Sequence, residues 1–242
     1  MLHTSASLDT VNELVLANHI LYQEGIVDGF GHVSVRHDKR ADRFLIARSI
    51  APATVKAEDI MECDYEGEPQ DARGRKTYLE RYIHSEIYQA RPDVMAIVHS
   101  HSPCIIPFGV TKGGLRPICH MSGFLGAGVP NFEIRDFAGE HTDMLIRSRA
   151  LGTDLARTLG SAHFVLMRGH GSTAVGPSLK LAVARAIWAE SNAKLQIQSA
   201  QMGEVTFMSE GEAAATMNTN EALVDRPWAL WKARAQVHSA SK

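Results

Sequence analysis

The 242-residue chain is 45% hydrophobic and 21% charged, with a formal charge of −2. That balance supports a sizeable apolar core and leaves no need for disulfides or a structural metal to hold it together. No block of like charges marks a nucleic-acid surface, no apolar run is long enough to cross a membrane as a helix, and the three widely spaced cysteines, Cys63, Cys104 and Cys119, read as reduced thiols of a cytoplasmic protein.

From Leu8 to Glu24, Leu8, Val11, Val15, Asn18, His19 and Tyr22 recur near helical spacing, with Ser7 as the N-cap and Gly25 as the stop. This stretch lacks a basic leader and is broken by Glu13, Asn18 and His19, so it reads as an amphipathic helix and not a signal peptide. Phe30, Val33 and Val35, then Phe44, Leu45 and Ile46, are short β-rich runs either side of the polar turn His37 to Asp42, which predicts a hairpin. A second helix is predicted from Tyr78 to Ala90, ending before Arg91-Pro92 because the residue before proline is pushed out of helical geometry. Thr77 and Glu80 fit a capping box at its start. Val94 to Ser100 reads as a buried strand.

The Gly/Pro-rich stretch from Gly109 to Pro130 has little periodicity and is too long for an idle connector. Leu145 to Leu159 is predicted helical, Phe164 to Met167 a strand, and Ser178 to Met202 a long helix capped by Ser178. With no internal repeat and no linker, residues 1–242 read as one α/β domain, and the early hairpin favours antiparallel strands.

Three histidines carry the strongest chemical signal. On a strand, residues i and i+2 point to the same face, so His99 and His101 in His-Ser-His would present two imidazoles together. Taken alone, they fit a metal site or a hydrogen-bonded pair at a strand end. His170 follows another apolar strand, between Gly169 and Gly171, where the backbone can approach a ligand closely; a solvent-facing turn fits the same residues. Three neutral imidazoles with open positions form a catalytic metal arrangement compatible with zinc, manganese, iron or cobalt. Glu80 lies nineteen residues before His99, where a carboxylate at a helix start can face such a cation, and His84 sits one turn later, as a partner of the site or a core histidine.

Glu80 to His84, then Arg91-Pro92-Asp93-Val94 leading to Val98-His99-Ser100-His101-Ser102, then Arg168-Gly169-His170-Gly171, closely resembles the class II aldolase/adducin family from the first helix to about Met202. The resemblance implies a three-layer α/β/α fold around a largely antiparallel sheet, usually built into a homotetramer with active sites between subunits. It assigns His99, His101 and His170 as ligands of one divalent metal ion per chain, zinc or manganese with ferrous iron or cobalt as alternatives, and Glu80 as the proton-transfer residue.

Sugar-phosphate aldolases of that family hold phosphate with a Gly-Asn pair, a Ser/Thr-Gly pair and two hydroxyl residues before the glutamate. Those places here read Gly31-His32, Ser49-Ile50 and Tyr78-Leu79, which argues against a phosphorylated substrate. Gly31, His32, Arg48 and Ser49 instead suggest a cationic pocket for a carboxylate. Asp28 to Arg36 and Ile46 to Ser49 resemble the family members that decarboxylate hydroxylated aromatic dicarboxylates, such as dihydroxyphthalate or a hydroxypyridine dicarboxylate.

A metal-dependent carbon–carbon lyase acting on a small molecule, decarboxylating a hydroxylated aromatic or related acid, is therefore expected. The alternatives are aldol cleavage of a non-phosphorylated hydroxy-carbonyl compound, a noncatalytic adducin-like module, and an iron oxygenase. A scaffold has no use for the three histidines and the glutamate together, and an oxygenase would consume oxygen.

Overall fold

The computed structural model describes residues 4–240. Helix α1 (Leu8–Gln23) starts where Ser7 accepts the Thr10 amide and buries Val11, Leu14, Ile20 and Leu21. Strands β1 (His32–Arg36) and β2 (Arg43–Ala47) form the expected antiparallel hairpin, with Ser34 opposite Ile46, and β3 (Ile60–Asp64) extends it beyond β2. Helix α2 (Arg81–Ala90) starts later than its sequence suggests, with Glu80 as its N-cap residue. The predicted capping box does not form. The Glu80 carboxylate is engaged elsewhere, accepting the Ile146 amide at 2.9 Å.

Next come β4 (Ala96–Ser100), the short α3 (Ile106–Val110), β5 (Asn131–Phe132) and the single turn α4 (Arg135–Ala138). The Gly/Pro-rich stretch between α3 and β5 contains a 3-10 turn, His120–Leu125. Helix α5 (Arg149–Leu159) begins at the Ser148 cap, so Leu145 to Ser148 are not helical, and this short segment brings the Ile146 amide to Glu80. Strands β6 (Phe164–Met167) and β7 (Gly171–Gly176) precede the long α6 (Leu179–Met202), capped by Ser178 as expected. From α6, Asn192 and Gln196 tie down the Gly/Pro-rich stretch, bonding backbone groups of Ile118, Arg116 and Gly114. Helices α7 (Glu210–Ala222) and α8 (Asp225–Ala240) follow.

Among the described residues all seven strands join one sheet in the order β3-β2-β1-β4-β7-β6-β5, antiparallel except where β5 meets β6. Strand alternation divides the apolar residues between its two faces. Val33, Leu45, Val98 and Leu166 pack with α1, α6 and α8; Phe44, Ile46, Ile97 and Val165 pack with α2 and α5. The result is a three-layer α/β/α fold with two cores, the second also carrying the polar residues described below. Among the described residues no helix is long and apolar enough to cross a membrane, and Cys63, Cys104 and Cys119 are free thiols.

Near the N-terminus, Glu62 gathers Thr4, Ser5, His37 and Arg43 around one buried carboxylate. Burial alone would raise its pKa, but the hydrogen bonds from Thr4, Ser5 and Arg43 together outweigh burial and bring it to about 2. A carboxyl depressed on folding stabilises the native state above its ordinary range, and that contribution is lost as pH falls toward 2. Glu62→Gln should therefore cost about 1–2 kcal/mol at neutral pH, part of the full effect being screened by solvent. In urea titrations the difference from the unaltered protein should vanish near pH 2; an equal difference at both pH values would show that the charge is not responsible.

Candidate metal centre

Strand β4 carries His99, and the chain leaves the sheet at His101, so the two imidazoles emerge on one side as the i, i+2 spacing requires. His170 sits in the turn between β6 and β7. This turn can lie against the end of β4 only because residue 171 is glycine: a Cβ there would stand 2.1 Å from the Ser100 carbonyl oxygen and 3.2 Å from the His101 Cα. Glu80, at the head of α2, completes a group of four potential metal-donor atoms lying within 4.8 Å of one another.

Hydrogen bonds on the far side of two rings fix which nitrogens face inward. His99 Nδ1 donates to the Ser172 carbonyl at 3.1 Å, and His170 Nδ1 donates to the Met144 carbonyl at 2.9 Å. Both Nε2 atoms are then bare lone pairs in the neutral rings. They lie 3.1 Å and 3.0 Å from His101 Nε2, and the single proton His101 could place there satisfies one of them at most. Glu80 Oε2 lies 3.7 Å from His99 Nε2 and 3.5 Å from His170 Nε2.

Protonation of His99 or His101 is disfavoured: burial first, and then the neighbouring imidazoles, hold His99 well below the usual histidine pKa, and burial and His170 lower His101. Lone pairs aimed at one point beside a carboxylate are the donor set of a divalent cation. A tetrahedral zinc would hold its nitrogens roughly 3.3 Å apart, close to the spacing seen, and backbone carbonyls accepting the remote N–H are the usual support of metal-binding histidines. The residues fit such an ion.

His101 and Glu80 open onto a cavity of about 280 Å³ whose walls include Phe30, Ile50, Tyr78, Leu79 and Leu145. Gly31, His32 and Ser49 also line it. Gly31 has φ +89°, and a Cβ there would lie 2.7 Å from Val27, so the bend that feeds β1 past the cavity requires glycine. The structure does not bring Arg48 to this cavity. Its guanidinium bonds Asp59 at 2.6 Å, a stronger local partner than an open pocket. The expected cationic character is also absent from His32, since burial foremost, with His84, His101 and His170, pushes its pKa well down and leaves the ring uncharged.

His84 is fully buried between His32 and Ser34, which makes it a hydrogen-bonded core residue. Sequence reasoning missed Phe30 as a wall of the cavity, although its place between Gly29 and Gly31 was a signal. It also missed the Ile146 amide as the partner of Glu80, for which no local signal exists.

A family model described as Class II Aldolase and Adducin N-terminal domain matches residues 12–197. The chain is 38% identical to the decarboxylase tropJ of Talaromyces stipitatus, over 91% of this chain and 92% of that protein. It is 30% identical to a 3,4-dihydroxyphthalate decarboxylase of Arthrobacter keyseri, over 78% of each. Among solved structures, an L-fuculose 1-phosphate aldolase from Glaciozyma antarctica superposes with a TM-score of 0.78 at 22% identity, covering 98% of this chain and 94% of that one.

Proposed function

We propose that this chain, which belongs to the class II aldolase and adducin N-terminal domain family, is a metal-dependent carboxy-lyase that decarboxylates hydroxylated aromatic acids. The observation that carries this reading is the set of three convergent imidazole nitrogens beside Glu80, at the polar end of a cavity walled by aromatic and aliphatic side chains. The similarity to two decarboxylases, one of them named for an aromatic dicarboxylate, supports the reaction and the substrate class.

In this reading His99, His101 and His170 hold one divalent ion, zinc or manganese. When bound, the ion supplies Lewis-acid stabilisation to the substrate oxygen that takes up negative charge as the carbon–carbon bond breaks. The carboxylate carbon leaves as CO₂, and its bonding pair stays on the ring carbon. Glu80 delivers a proton to that carbon from Oε2 and recovers one from solvent, so the net change is loss of CO₂ and gain of H⁺. Its other oxygen, fixed by the Ile146 amide, holds the carboxyl in one orientation. Phe30, Tyr78 and Leu79 offer apolar and aromatic surface to the aromatic ring.

The direct test is to load purified protein with zinc or manganese and screen hydroxy-aromatic mono- and dicarboxylates for CO₂ release. Stoichiometric CO₂ with the hydroxy-arene product is expected, from a preparation that light scattering shows to be a homotetramer. Cleavage of unphosphorylated hydroxy-carbonyl compounds without CO₂ would replace the decarboxylase with an aldolase. Oxygen consumption during turnover would replace it with an oxygenase, and a fully active monomer would remove the tetramer.

A further inference from the structure

A file of four buried polar side chains runs from the cavity wall into the layer between α2 and the sheet. His32 Nδ1 lies 2.6 Å from His84 Nε2, His84 Nδ1 lies 2.6 Å from Ser34 Oγ, and Ser34 Oγ lies 2.8 Å from the Tyr88 hydroxyl. They meet because His84 and Tyr88 are one turn apart on α2, while His32 and Ser34 are alternate residues of β1 on one face. All four are at most 4% exposed. Burial also pushes the His84 pKa down to about 3, so its ring is uncharged.

Two uncharged proton arrangements satisfy these distances with Ser34 as a donor; a third, in which Ser34 accepts from both His84 and Tyr88, leaves the Ser34 hydroxyl hydrogen without an acceptor among the described residues. In the first, His32 Nδ1–H donates to His84, His84 Nδ1–H donates to Ser34, and Ser34 donates to Tyr88. The Tyr88 hydroxyl hydrogen is then buried without an acceptor among the described residues. Arg36, whose guanidinium lies 4.7 Å from the centre of the Tyr88 ring, is only a donor. In the second arrangement Tyr88 O–H donates to Ser34, Ser34 O–H donates to His84 Nδ1, and His84 Nε2–H donates to His32 Nδ1. Every donor within the file now has its acceptor, which buried hydroxyls and imidazoles require. One proton remains, on His32 Nε2, and His32 lines the cavity. That nitrogen has no hydrogen-bond partner among the described residues and is not among the sealed, unpartnered polar atoms.

We infer that Tyr88, Ser34 and His84 are positioning residues that lock His32 in the Nε2–H tautomer, making it a fixed donor to a carboxylate oxygen of the substrate. The inference rests on the proposed function only for the identity of that acceptor. A hydrogen bond from a fixed donor is stronger to an anionic oxygen than to a neutral one, so the cavity favours a carboxylate over a hydroxyl at this position. The selection needs no positive charge, in keeping with the absence of Arg48.

Long-range ¹H–¹⁵N spectra of the zinc-loaded protein labelled with ¹⁵N-histidine test this without turnover. His32 and His84 should each show a protonated, pyrrole-type Nε2 and a bare, pyridine-type Nδ1. Phthalate, which carries two carboxylates and no hydroxyl, should shift the His32 Nε2–H resonance. His32→Ala should weaken phthalate binding about 10- to 100-fold at unchanged zinc content, the loss of one hydrogen bond to a charged group. Tyr88→Phe removes the donor that sets the direction, so both rings should move toward the average of the two tautomers. A proton on Nδ1 of either ring, an unshifted His32 at saturating phthalate, or a Tyr88→Phe spectrum like that of the unaltered protein would overturn the inference. If that variant does not fold, the spectrum of the unaltered protein still decides. The expected tautomers in a protein that decarboxylates nothing would refute the lyase and leave the file standing; opposite tautomers in an active decarboxylase would refute the file alone.

Discussion

Removing the divalent ion by chelation, or replacing His101 with Ala, should lower turnover by at least about 10³-fold while the protein stays folded. The size of the loss follows from the role proposed for the ion. It stabilises the charge that develops as the carbon–carbon bond breaks, and such electrostatic stabilisation is commonly the largest catalytic contribution. Folding should survive because two apolar cores on opposite faces of the sheet hold the layers together without the ion. His101 is the cleanest of the three proposed ligands to test. It is only partly buried, whereas the His99 ring is fully enclosed and its removal would add a cavity to the loss of the ligand. Elemental analysis should show about one ion per chain before chelation, and circular dichroism should be unchanged after it. Full activity in a rigorously metal-free sample would sink the proposed centre, and global unfolding on chelation would make it structural.

Glu80→Gln should retain metal and fold yet lose roughly 10²- to 10⁴-fold in turnover, the range for removing a general acid or base. The structure makes this substitution more discriminating than its sequence context implied. The side chain does not cap α2; one of its oxygens accepts the Ile146 amide, and a glutamine oxygen can do the same. The cost in stability should therefore be no more than about 1 kcal/mol. The other end, now an amide, faces the imidazole nitrogens and cannot give up a proton near neutral pH. The next residue along the helix face is no substitute. His84, one turn along the same face, is enclosed by His32 and Ser34 with its pKa pushed down to about 3. Single-turnover measurements on the metal-loaded variant would decide: near-normal rates would leave Glu80 with only its bond to the Leu145–Ser148 segment.

How much of this was legible in the sequence depends on the range over which each feature is determined. Helix α1 with its Ser7 cap, the β1–β2 hairpin, β6, and α6 with its Ser178 cap all follow from periodicity and capping within a few residues, and they lie where they were expected. The ordered combination of Glu80, His-Ser-His and Gly-His-Gly carried the family and, through it, the three-layer fold. Local reading failed where a distant group competed for a side chain. Glu80 left its capping box for an amide 66 residues away. Arg48 turned from the cavity to Asp59. His84 is the core histidine that its sequence position suggested, but its partners on β1, 50 and 52 residues away, were not legible.

By itself, then, the sequence determined the elements, the faces they bury and the set of residues able to bind a metal, because backbone propensity and hydrophobic period act over one or two turns. Only the tertiary structure decided which nitrogen of each ring faces inward, which carboxylate oxygen is free and which polar group reaches the cavity. Each of those outcomes is a choice among competing hydrogen-bond partners, and the winning partner comes from a segment that approaches only when the sheet and its two helical layers close together.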